Sequence, residues 1–469
     1  MSKFFFVCSK CGSRFGKNFL RCPICGGLLI TKYESFSWEL LDRSDIWRYS
    51  RLLPKKKENI VTLGEGGTPI IRANNLARRL GLKELFIKDE TRNPTGSFVD
   101  RGISVVVSNV ESKRIICPTR GDTGASLAVY SAKAGLEVRV YAPRDVDLGK
   151  LYIMLLAGAD VRIVSDFLSA IYLAELESIK ASIFMEISPF YIEGIKTIAY
   201  EIMEQLGGEQ PDVIIAPVGS GALISALWKG FEELKYLGLI NQTPKFVGVQ
   251  VEGVDPVVML FRRMEFQRRS MRTLARDTEL FIPELAEAAI SAIRNSGGTM
   301  ISVNESRIPE YIRLLAQTEG IVAEPSAILP VIAIQNLLDN FLESDMRVVA
   351  IITGSGLRTP DILRNLLPIE RLLERTIGET GKIHPLRIGE TKIRILKILR
   401  EKPQHGYGLQ KELTRRYNKK LSMPTIYQHL KELEKMGLIS RIERKEAKRK
   451  ILYVITKEGL KLMKKIGYP

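Results

Sequence analysis

The sequence predicts an α/β fold with parallel sheets, preceded by a cysteine-rich head and followed by a basic helical segment. Between about residues 36 and 379, short apolar runs typical of buried strands alternate with helical runs. The strand-like runs lie at 115–119, 138–141, 161–164, 213–216, 246–251 and 348–352. Two Cys-x-x-Cys pairs stand near the start of the chain, and the excess positive charge lies near its end.

Length and composition are those of an ordinary soluble protein with about three domains. The chain has 469 residues, of which 45% are hydrophobic and 26% charged. The most apolar uncharged stretch, residues 213–228, is shorter than the ~20 residues of a membrane-spanning helix. The apolar run at residues 4–7 is too short for a signal peptide. We therefore expect a cytoplasmic protein without a membrane segment.

The first 35 residues contain four cysteines spaced like the two knuckles of a zinc ribbon. The candidate ligands are Cys8, Cys11, Cys22 and Cys25. Four thiolates close a tetrahedral shell and leave no position for a reactive water, so the zinc is expected to be structural. A pair of disulfides is the alternative. Cys117 ends an apolar strand-like run and is expected to be a buried core residue.

The net charge of +17 belongs largely to the end of the chain. Residues 388–469 carry 22 Lys and Arg against 8 Asp and Glu, which leaves 48 against 45 elsewhere. A field concentrated on one segment indicates a polyanionic partner for that segment. A solvated, self-repelling tail is the alternative, but the apolar periodicity of the segment favours a folded domain.

The apolar spacing in residues 388–469 predicts three helices, a hairpin and a final helix, after a linker at 380–387. Ser422 is the expected N-cap of the third helix, which ends near Gly437 and is the candidate recognition helix. Strand-like runs at 439–444 and 450–455 precede a helix from about 457 to 466. This order predicts a winged helix-turn-helix. The apolar stripes of the first three helices are Ile393, Leu396 and Leu399; Leu409, Leu413 and Tyr417; and Ile426, Leu430 and Leu433.

The polar face of the third helix is the side that could enter a major groove of double-stranded DNA. Thr425 and Gln428 are suited to base edges, with Ser422 at the helix start. Side chains suited to phosphates are Tyr427, Lys431 and, in the wing, Arg444, Lys445, Lys448 and Arg449. The alternative is a winged helix that makes protein contacts.

Three motifs in this segment resemble the PadR family of transcription regulators over about 75 residues: HGYGLQKEL, LSMPTIYQHLKELEKMGLI and KILYVITKEGLKLM. The resemblance implies DNA binding. It also implies a homodimer that reads two half-sites related by a two-fold axis.

A Gly-Ser-Gly turn in the central body follows a strand-like run and opens a helical one. Its backbone N–H groups and the helix N-terminus would form an anion cradle at residues 219–222. A simple tight turn is the alternative interpretation.

The whole body, residues 36–379, resembles threonine synthase and its relatives of pyridoxal-phosphate fold type II. The motifs that carry the resemblance, in family order, are LGEGGTPI, FIKDETRNPTGSFVDRG, TRGDTGASLAVYSAKAGL, EGIKTIAYEI, APVGSGALISALWKGF, VGVQVEG, TEGIVAEPSA and AIITGSGL. The family carries a Schiff-base lysine where this chain has Val99, which offers no amine. The catalytic set is therefore empty, and any pyridoxal phosphate is expected to bind without a covalent link. Lys88 is expected to be structural.

The resemblance implies where a cofactor would lie. Asp122 would sit beside the pyridine hydroxyl, and Thr353 would meet the ring nitrogen. Ala222 replaces a common glycine, and Arg120 replaces a small residue, which makes Arg120 a candidate for binding a ligand anion. The full set of expected cofactor-binding residues is Asn93, Ser97, Asp122, Gly219, Ser220, Gly221, Ala222, Leu223 and Thr353.

These observations favour a transcription regulator whose body senses a small anionic metabolite without catalysis. Candidate effectors are an amino acid such as threonine, a phosphorylated precursor such as O-phosphohomoserine, or pyridoxal phosphate. The alternative is an active threonine synthase with an added DNA-binding domain, which needs another amine in place of Val99. A third hypothesis is a body kept only as a dimerisation scaffold. Histidine catalysis in the body is excluded because all three histidines lie beyond residue 379.

Overall fold

The computed structural model describes residues 3–35, 37–56, 60–178, 182–265, 273–279, 283–338, 340–366, 389–443 and 451–465. The chain divides into two compact units, Met1–Leu367 and Pro368–Pro469. Each unit is described by itself below.

The first unit begins with a small antiparallel sheet of three strands in the order β2, β1, β3. Its strands are β1 (Phe4–Cys8), β2 (Arg14–Phe15) and β3 (Leu29–Tyr33). Phe6 of β1 is fully buried, and its ring lies edge-on to Phe190 with centroids 5.4 Å apart. The head is therefore packed onto the rest of the unit.

The body contains two sheets. The first has six strands in the order β12, β11, β10, β13, β5, β4, and all of them are parallel except β4. The second has four parallel strands in the order β8, β7, β6, β9. The strands are β4 (Ile70–Arg72), β5 (Glu84–Asp89), β6 (Arg114–Pro118), β7 (Glu137–Pro143), β8 (Asp160–Val164), β9 (Ser182–Ile183), β10 (Val213–Pro217), β11 (Lys245–Val251), β12 (Thr299–Val303) and β13 (Arg347–Ile352).

Helices cover these sheets. They are α1 (Asn74–Leu80), α2 (Val99–Asn109), α3 (Asp122–Ala134), α4 (Leu148–Leu156), α5 (Phe167–Glu177), α6 (Pro189–Ile195), α7 (Thr197–Gln205), α8 (Ala222–Tyr236), α9 (Pro256–Phe261), α10 (Ala286–Asn295), α11 (Ile308–Glu319), α12 (Leu329–Leu338) and α13 (Pro360–Leu366). Short 3-10 turns lie at Ile46–Leu52, Glu90–Arg92, Arg276–Thr278, Glu305–Arg307 and Gly356–Arg358.

The structure confirms all six strands expected from the apolar runs, and it explains their composition. Every residue of β10 is buried, as are five of the six residues of β13. A strand covered on both faces is apolar throughout instead of alternating, because each side chain meets packed protein. Cys117 of β6 is fully buried, as expected for a core residue.

Lys88 and Arg101 belong to a buried polar network that joins β5 to α2 and α7. Lys88 Nζ donates to the Thr68 carbonyl at 2.6 Å and to Glu201 Oε2 at 2.7 Å. Arg101, which is fully buried, donates to Glu201 and Glu90. The network confirms that Lys88 has a structural role.

The second unit contains α14 (Glu390–Glu401), α15 (Gly406–Tyr417), α16 (Met423–Lys435), β14 (Ile439–Glu443), β15 (Ile451–Ile455) and α17 (Lys457–Lys465). The two strands form an antiparallel hairpin. Ser422 caps α16, since its side chain accepts from the Thr425 N–H. The expected order of three helices, a hairpin and a last helix is confirmed.

Leu396, Leu413 and Leu430, one from each of the first three helices, are all buried in a common apolar core. Of the nine expected stripe residues, Ile393 and Tyr417 are partly buried against this core and the others are fully inside it. Among the helices described, none combines the length and apolarity required to cross a membrane.

Candidate functional site

The candidate site lies where several parallel strands of the body end at their carboxyl edges. Val99 opens α2 beyond β5, Asp122 opens α3 after β6, and Ala222 opens α8 after β10. Thr353 follows β13 directly. Ligand sites of open parallel sheets are found at this edge, because loops and helix N-termini converge there.

Two small adjoining cavities occupy this position. One has a volume of about 80 Å³ and the other about 70 Å³, and they share Asp122, Glu186, Ser220 and Asp277 in their walls. A water needs about 10–15 Å³ on this measure, so each cavity has room for about six waters. The space suits a small ligand.

Val99 lines the second cavity and is only 2% exposed. Its isopropyl group is therefore at the position where the resemblance places the Schiff-base amine of the family. No proton transfer or imine formation can start from this side chain.

Asp122 is held by two buried cations at the start of α3. Lys150 Nζ lies 2.6 Å from Asp122 Oδ1, and Arg358 Nη2 lies 2.9 Å from the same oxygen. Ser97 Oγ donates to Asp122 Oδ2 at 3.0 Å. Although burial alone would raise the pKa of the Asp122 carboxyl, Arg358 and Lys150 hold it well below its usual range.

Lys150 of α4 is fully buried and, besides Asp147 at 3.6 Å on its own side of the site, meets three carboxylates of the cavity walls at once. Its Nζ donates to Asp277 at 2.7 and 2.8 Å and lies 3.3 Å from Glu324, in addition to Asp122. Burial by itself would lower the pKa of this ammonium, but Asp122 and Asp277 raise it well above its usual value. The amine nearest to the site is therefore protonated and is a poor nucleophile.

The glycine loop has the geometry of an anion cradle at the N-terminus of α8. Gly221 adopts φ +95°, and a Cβ there would lie 2.6 Å from the Leu285 carbonyl oxygen, so glycine is required. Ala222 begins the helix in ordinary helical conformation. The Cβ of Ala222 is compatible with the loop, because the positive φ belongs to Gly221.

Glu186 reaches into this cradle. Its Oε2 accepts from Ser220 Oγ at 2.5 Å, and Glu186 lines both cavities. Burial raises the pKa of Glu186 to about 7, against the opposing effect of the Ser220 hydrogen bond, and Asp122 raises it further. A carboxyl group thus lies where the resemblance places a phosphate.

The other residues expected from the sequence either line the second cavity or make contacts outside it. Gly219, Ser220, Gly221, Ala222, Leu223 and Thr353 line the second cavity together with Asp122. Ser97 contacts Asp122 as described above. Asn93 does not face either cavity, since its side chain bonds the Glu90 carboxylate and carbonyl and the Gly66 N–H.

Arg120 lines the first cavity but already has partners. Its guanidinium donates to Glu279 Oε2 at 3.2 Å and to the Arg276 carbonyl at 3.2 Å. A ligand anion at Arg120 would therefore compete with Glu279.

These residues do not fit pyridoxal phosphate. The Schiff-base position is apolar, the phosphate cradle contains the Glu186 carboxyl, and Asp122 is already bound by Lys150 and Arg358. No chemistry of the cofactor follows from this arrangement.

The four N-terminal cysteines come together in the head. Cys8 Sγ lies 3.4 Å from Cys25 Sγ, and Cys11 Sγ lies 3.7 Å from Cys22 Sγ. Sulfurs around a tetrahedral zinc with bonds of about 2.3 Å are about 3.8 Å apart, so the donor set and its geometry fit zinc. Gly27 is required beside them, because a Cβ would lie 2.8 Å from Cys8 Sγ.

In the second unit, α16 presents the expected polar face. Gln428 and Lys431 are exposed, Thr425 is partly exposed, and all three follow one another at three-residue spacing on this face. Tyr427 is half-exposed and lies against the start of α15 at Gly406. The wing residues Arg444, Lys445, Lys448 and Arg449 lie outside the described residues.

Sequence reasoning missed the charged residues that fill the site: Lys150, Glu186, Asp277, Glu324 and Arg358. Lys150 and Glu186 are single charges within otherwise apolar runs, LGKLYIMLL and IFMEISPF. Such isolated charges signal a buried polar contact, since a charge is rarely buried without a partner. No comparable pattern marks Asp277 or Arg358.

The raised carboxyl pKa values predict how stability depends on pH. Burial raises the pKa of Glu324 to about 8, with Asp122 adding to the effect. The folded chain then keeps a proton that an unfolded glutamic acid, with a pKa of about 4.3, releases, so the free energy of unfolding falls as pH rises from about 5 to about 8. Glu324→Gln should make this slope shallower, by up to about 1.4 kcal/mol per pH unit, in urea titrations across that range.

The exposed acid Glu287 of α10 provides the matched control. Glu287→Gln should leave the slope as in the wild type. A Glu324→Gln chain with an unchanged slope would contradict the assignment of a proton to Glu324.

Comparison with known proteins agrees with this geometry. Residues 61–354 match the pyridoxal-phosphate dependent enzyme family, and residues 395–465 match the transcriptional regulator PadR-like family. Threonine synthase of Methanocaldococcus jannaschii is 40% identical over 376 residues, covering 76% of this chain and 93% of that protein. Threonine synthase of Methanosarcina acetivorans is 37% identical over 372 residues, covering 75% and 92%.

Among solved structures, maize serine racemase superimposes with a TM-score of 0.56 at 18% identity, over 66% of this chain and 93% of its own. That likeness supports the fold alone. The chain belongs to the family of pyridoxal-phosphate dependent enzymes, with threonine synthases among its homologues, and carries a PadR-like domain at its C-terminal end.

Proposed function

We propose that this chain is a transcription regulator in which a threonine-synthase-like body has lost catalysis and binds a small metabolite. The observation that carries the proposal is that, among the described residues, the cavity walls offer no available amine. Val99 has none, and the Lys150 ammonium is bound by Asp122, Asp277 and Glu324. A ligand that binds the body with different affinity in two conformations would shift the equilibrium between them.

The proposed organisation has four parts: a zinc ribbon at residues 1–35, the body at 36–379, a linker at 380–387 and a winged helix at 388–469. The chain would act in the cytoplasm as a homodimer, since two winged helices read half-sites related by two-fold symmetry. The exposed polar face of α16 supports the placement of this helix in the major groove of double-stranded DNA.

DNA binding is tested with the full chain on the DNA upstream of its own gene. We expect sequence-selective binding whose affinity falls steeply between about 50 and 200 mM salt. Lys431→Ala should reduce the salt slope by about one, because a phosphate contact is lost, whereas Thr425→Ala should reduce the preference over random DNA. Fluorescence anisotropy with labelled duplexes measures both.

Lys461, an exposed lysine on α17, offers a control outside the recognition helix. Lys461→Ala should keep the wild-type preference for the upstream DNA over random DNA. Equal affinity of the wild-type chain for both duplexes would refute the proposed regulator.

A second candidate is an active enzyme of the threonine synthase type, which the names of the homologues favour. It would need Lys150 as the amine. We expect that incubation with pyridoxal phosphate and reduction with borohydride leaves Lys150 unlabelled in peptide mass spectra, because its proton is held by three carboxylates. A labelled Lys150 together with phosphate release from O-phosphohomoserine would establish the enzyme instead.

For the head, we propose a structural zinc ion held by Cys8, Cys11, Cys22 and Cys25. Elemental analysis of the purified chain should give about one zinc per chain, and Cys22→Ser should lose it. Cys117→Ala, which changes a buried cysteine far along the chain, should keep the metal. Zinc-free wild-type protein with no titratable thiol among the four would favour the disulfide alternative.

A further inference from the structure

We infer that Glu186 closes the glycine-loop cradle to phosphate groups, so that the site accepts a small unphosphorylated amine. This inference rests on the proposed function, and it narrows the effector. Of the three candidate effectors named from the sequence, the inference retains the amino acid. It excludes the phosphorylated precursor and pyridoxal phosphate.

The first argument is the contact inside the cradle. Ser220, the side-chain donor of the loop, is already bonded to Glu186 Oε2 at 2.5 Å. A phosphate at the N-terminus of α8 would lose this hydroxyl and would meet a carboxylate at close range. Like charges at such a distance in a buried site repel strongly, which offsets the attraction of the helix N-terminus.

The second argument is the charge of the walls. Two charged residues of the cavity walls, Glu284 and Arg120, have ion-pair partners that lie outside the walls. Arg21 pairs with Glu284 at 2.8 Å, and Glu279 pairs with Arg120. Among the described residues, four carboxyls remain in the cavity walls, and two cations, Lys150 and Arg358, form ion pairs with three of them. The four carboxyls are Asp122, Glu186, Asp277 and Glu324. Two more positive charges, or two protons, are needed for neutrality.

The third argument is an oxygen without a hydrogen bond. Glu324 is 1% exposed and lines the second cavity, and within the described residues its Oε2 has one cationic neighbour, Lys150 Nζ at 3.3 Å, without a well-directed hydrogen bond. Buried polar oxygens are nearly always hydrogen-bonded in proteins. A ligand ammonium carries three donors and a positive charge, and so it satisfies the oxygen and the charge together.

When no ligand is bound, protons on the carboxyl groups supply the missing positive charge. Burial raises the pKa of Glu186 to about 7 and that of Glu324 to about 8, so near neutral pH Glu324 is largely protonated, whereas Glu186 is about half ionised and becomes a carboxylate as the pH rises above 7. Binding of an amine would release such a proton as the ammonium replaces it. The volume of the cavities, about 70 and 80 Å³, suits a molecule of the size of a small amino acid.

The test compares pairs of compounds that differ only in a phosphoryl group. The full chain is titrated by calorimetry with L-homoserine and O-phosphohomoserine, with ethanolamine and phosphoethanolamine, and with inorganic phosphate and pyridoxal phosphate. We expect the wild type to bind the unphosphorylated member of at least one pair and to bind no phosphorylated compound at about 1 mM.

Glu186→Gln keeps the size of the side chain and removes its negative charge. The variant should bind the amine at least about tenfold more weakly and bind inorganic phosphate more tightly than the wild type. Glu287→Gln, at an exposed position, should behave as the wild type toward every compound. Thermal unfolding of each variant confirms that the fold is retained.

Three results would overturn the inference. The first is a phosphorylated compound that binds the wild type more tightly than its unphosphorylated partner, and the second is that neither amine binds. The third is that the affinities for amine and for phosphate change in the same direction in Glu186→Gln. DNA binding by the same preparations separates this inference from the proposed function. Selective DNA binding with any of these results refutes the amine site alone, whereas loss of selective DNA binding refutes the regulator.

Discussion

The contact on which the site depends is the buried ion pair between Lys150 of α4 and Asp122 at the start of α3. It joins the four-stranded sheet side of the body to the loops that carry Asp277 and Glu324, and its geometry leaves little empty space. Burying an ammonium without partners costs several kcal/mol, so these carboxylates must stay close to it. The arrangement of the cavity walls follows from that requirement.

Under the proposed function, this arrangement would account for a chain that belongs to a family of cofactor-dependent enzymes and does not carry out their chemistry. The sheets, the glycine loop and the helix N-termini are retained, because they depend on apolar strands and on Gly221. The proposal rests on the side chains inside this frame: Val99 offers no amine, and Glu186 places a carboxyl group beside Ser220 of the glycine loop. Fold and chemistry are separable in this way, because few side chains carry the chemistry.

The fold was largely predictable from the sequence, because strands buried on both faces leave continuous apolar runs such as residues 213–217 and 348–352. The third helix of the second unit was equally clear, since Ser422 and its apolar stripe mark its start and its buried side. The site was only partly predictable. The position of Val99 and the glycine loop are visible in the local sequence, but the contacts of Lys150 join residues more than 100 positions apart. Such contacts depend on the packing of distant segments, and no local pattern specifies them.

One side chain of the four-cysteine head, Arg21, contacts the wall of the first cavity. Arg21 directly precedes Cys22 in the sequence, and its guanidinium reaches Glu284 in the wall of the first cavity. Withdrawal of that arginine would leave an uncompensated carboxylate at the rim. The fold of the four-cysteine head therefore also determines whether the carboxylate of Glu284 in the cavity wall has a cation beside it.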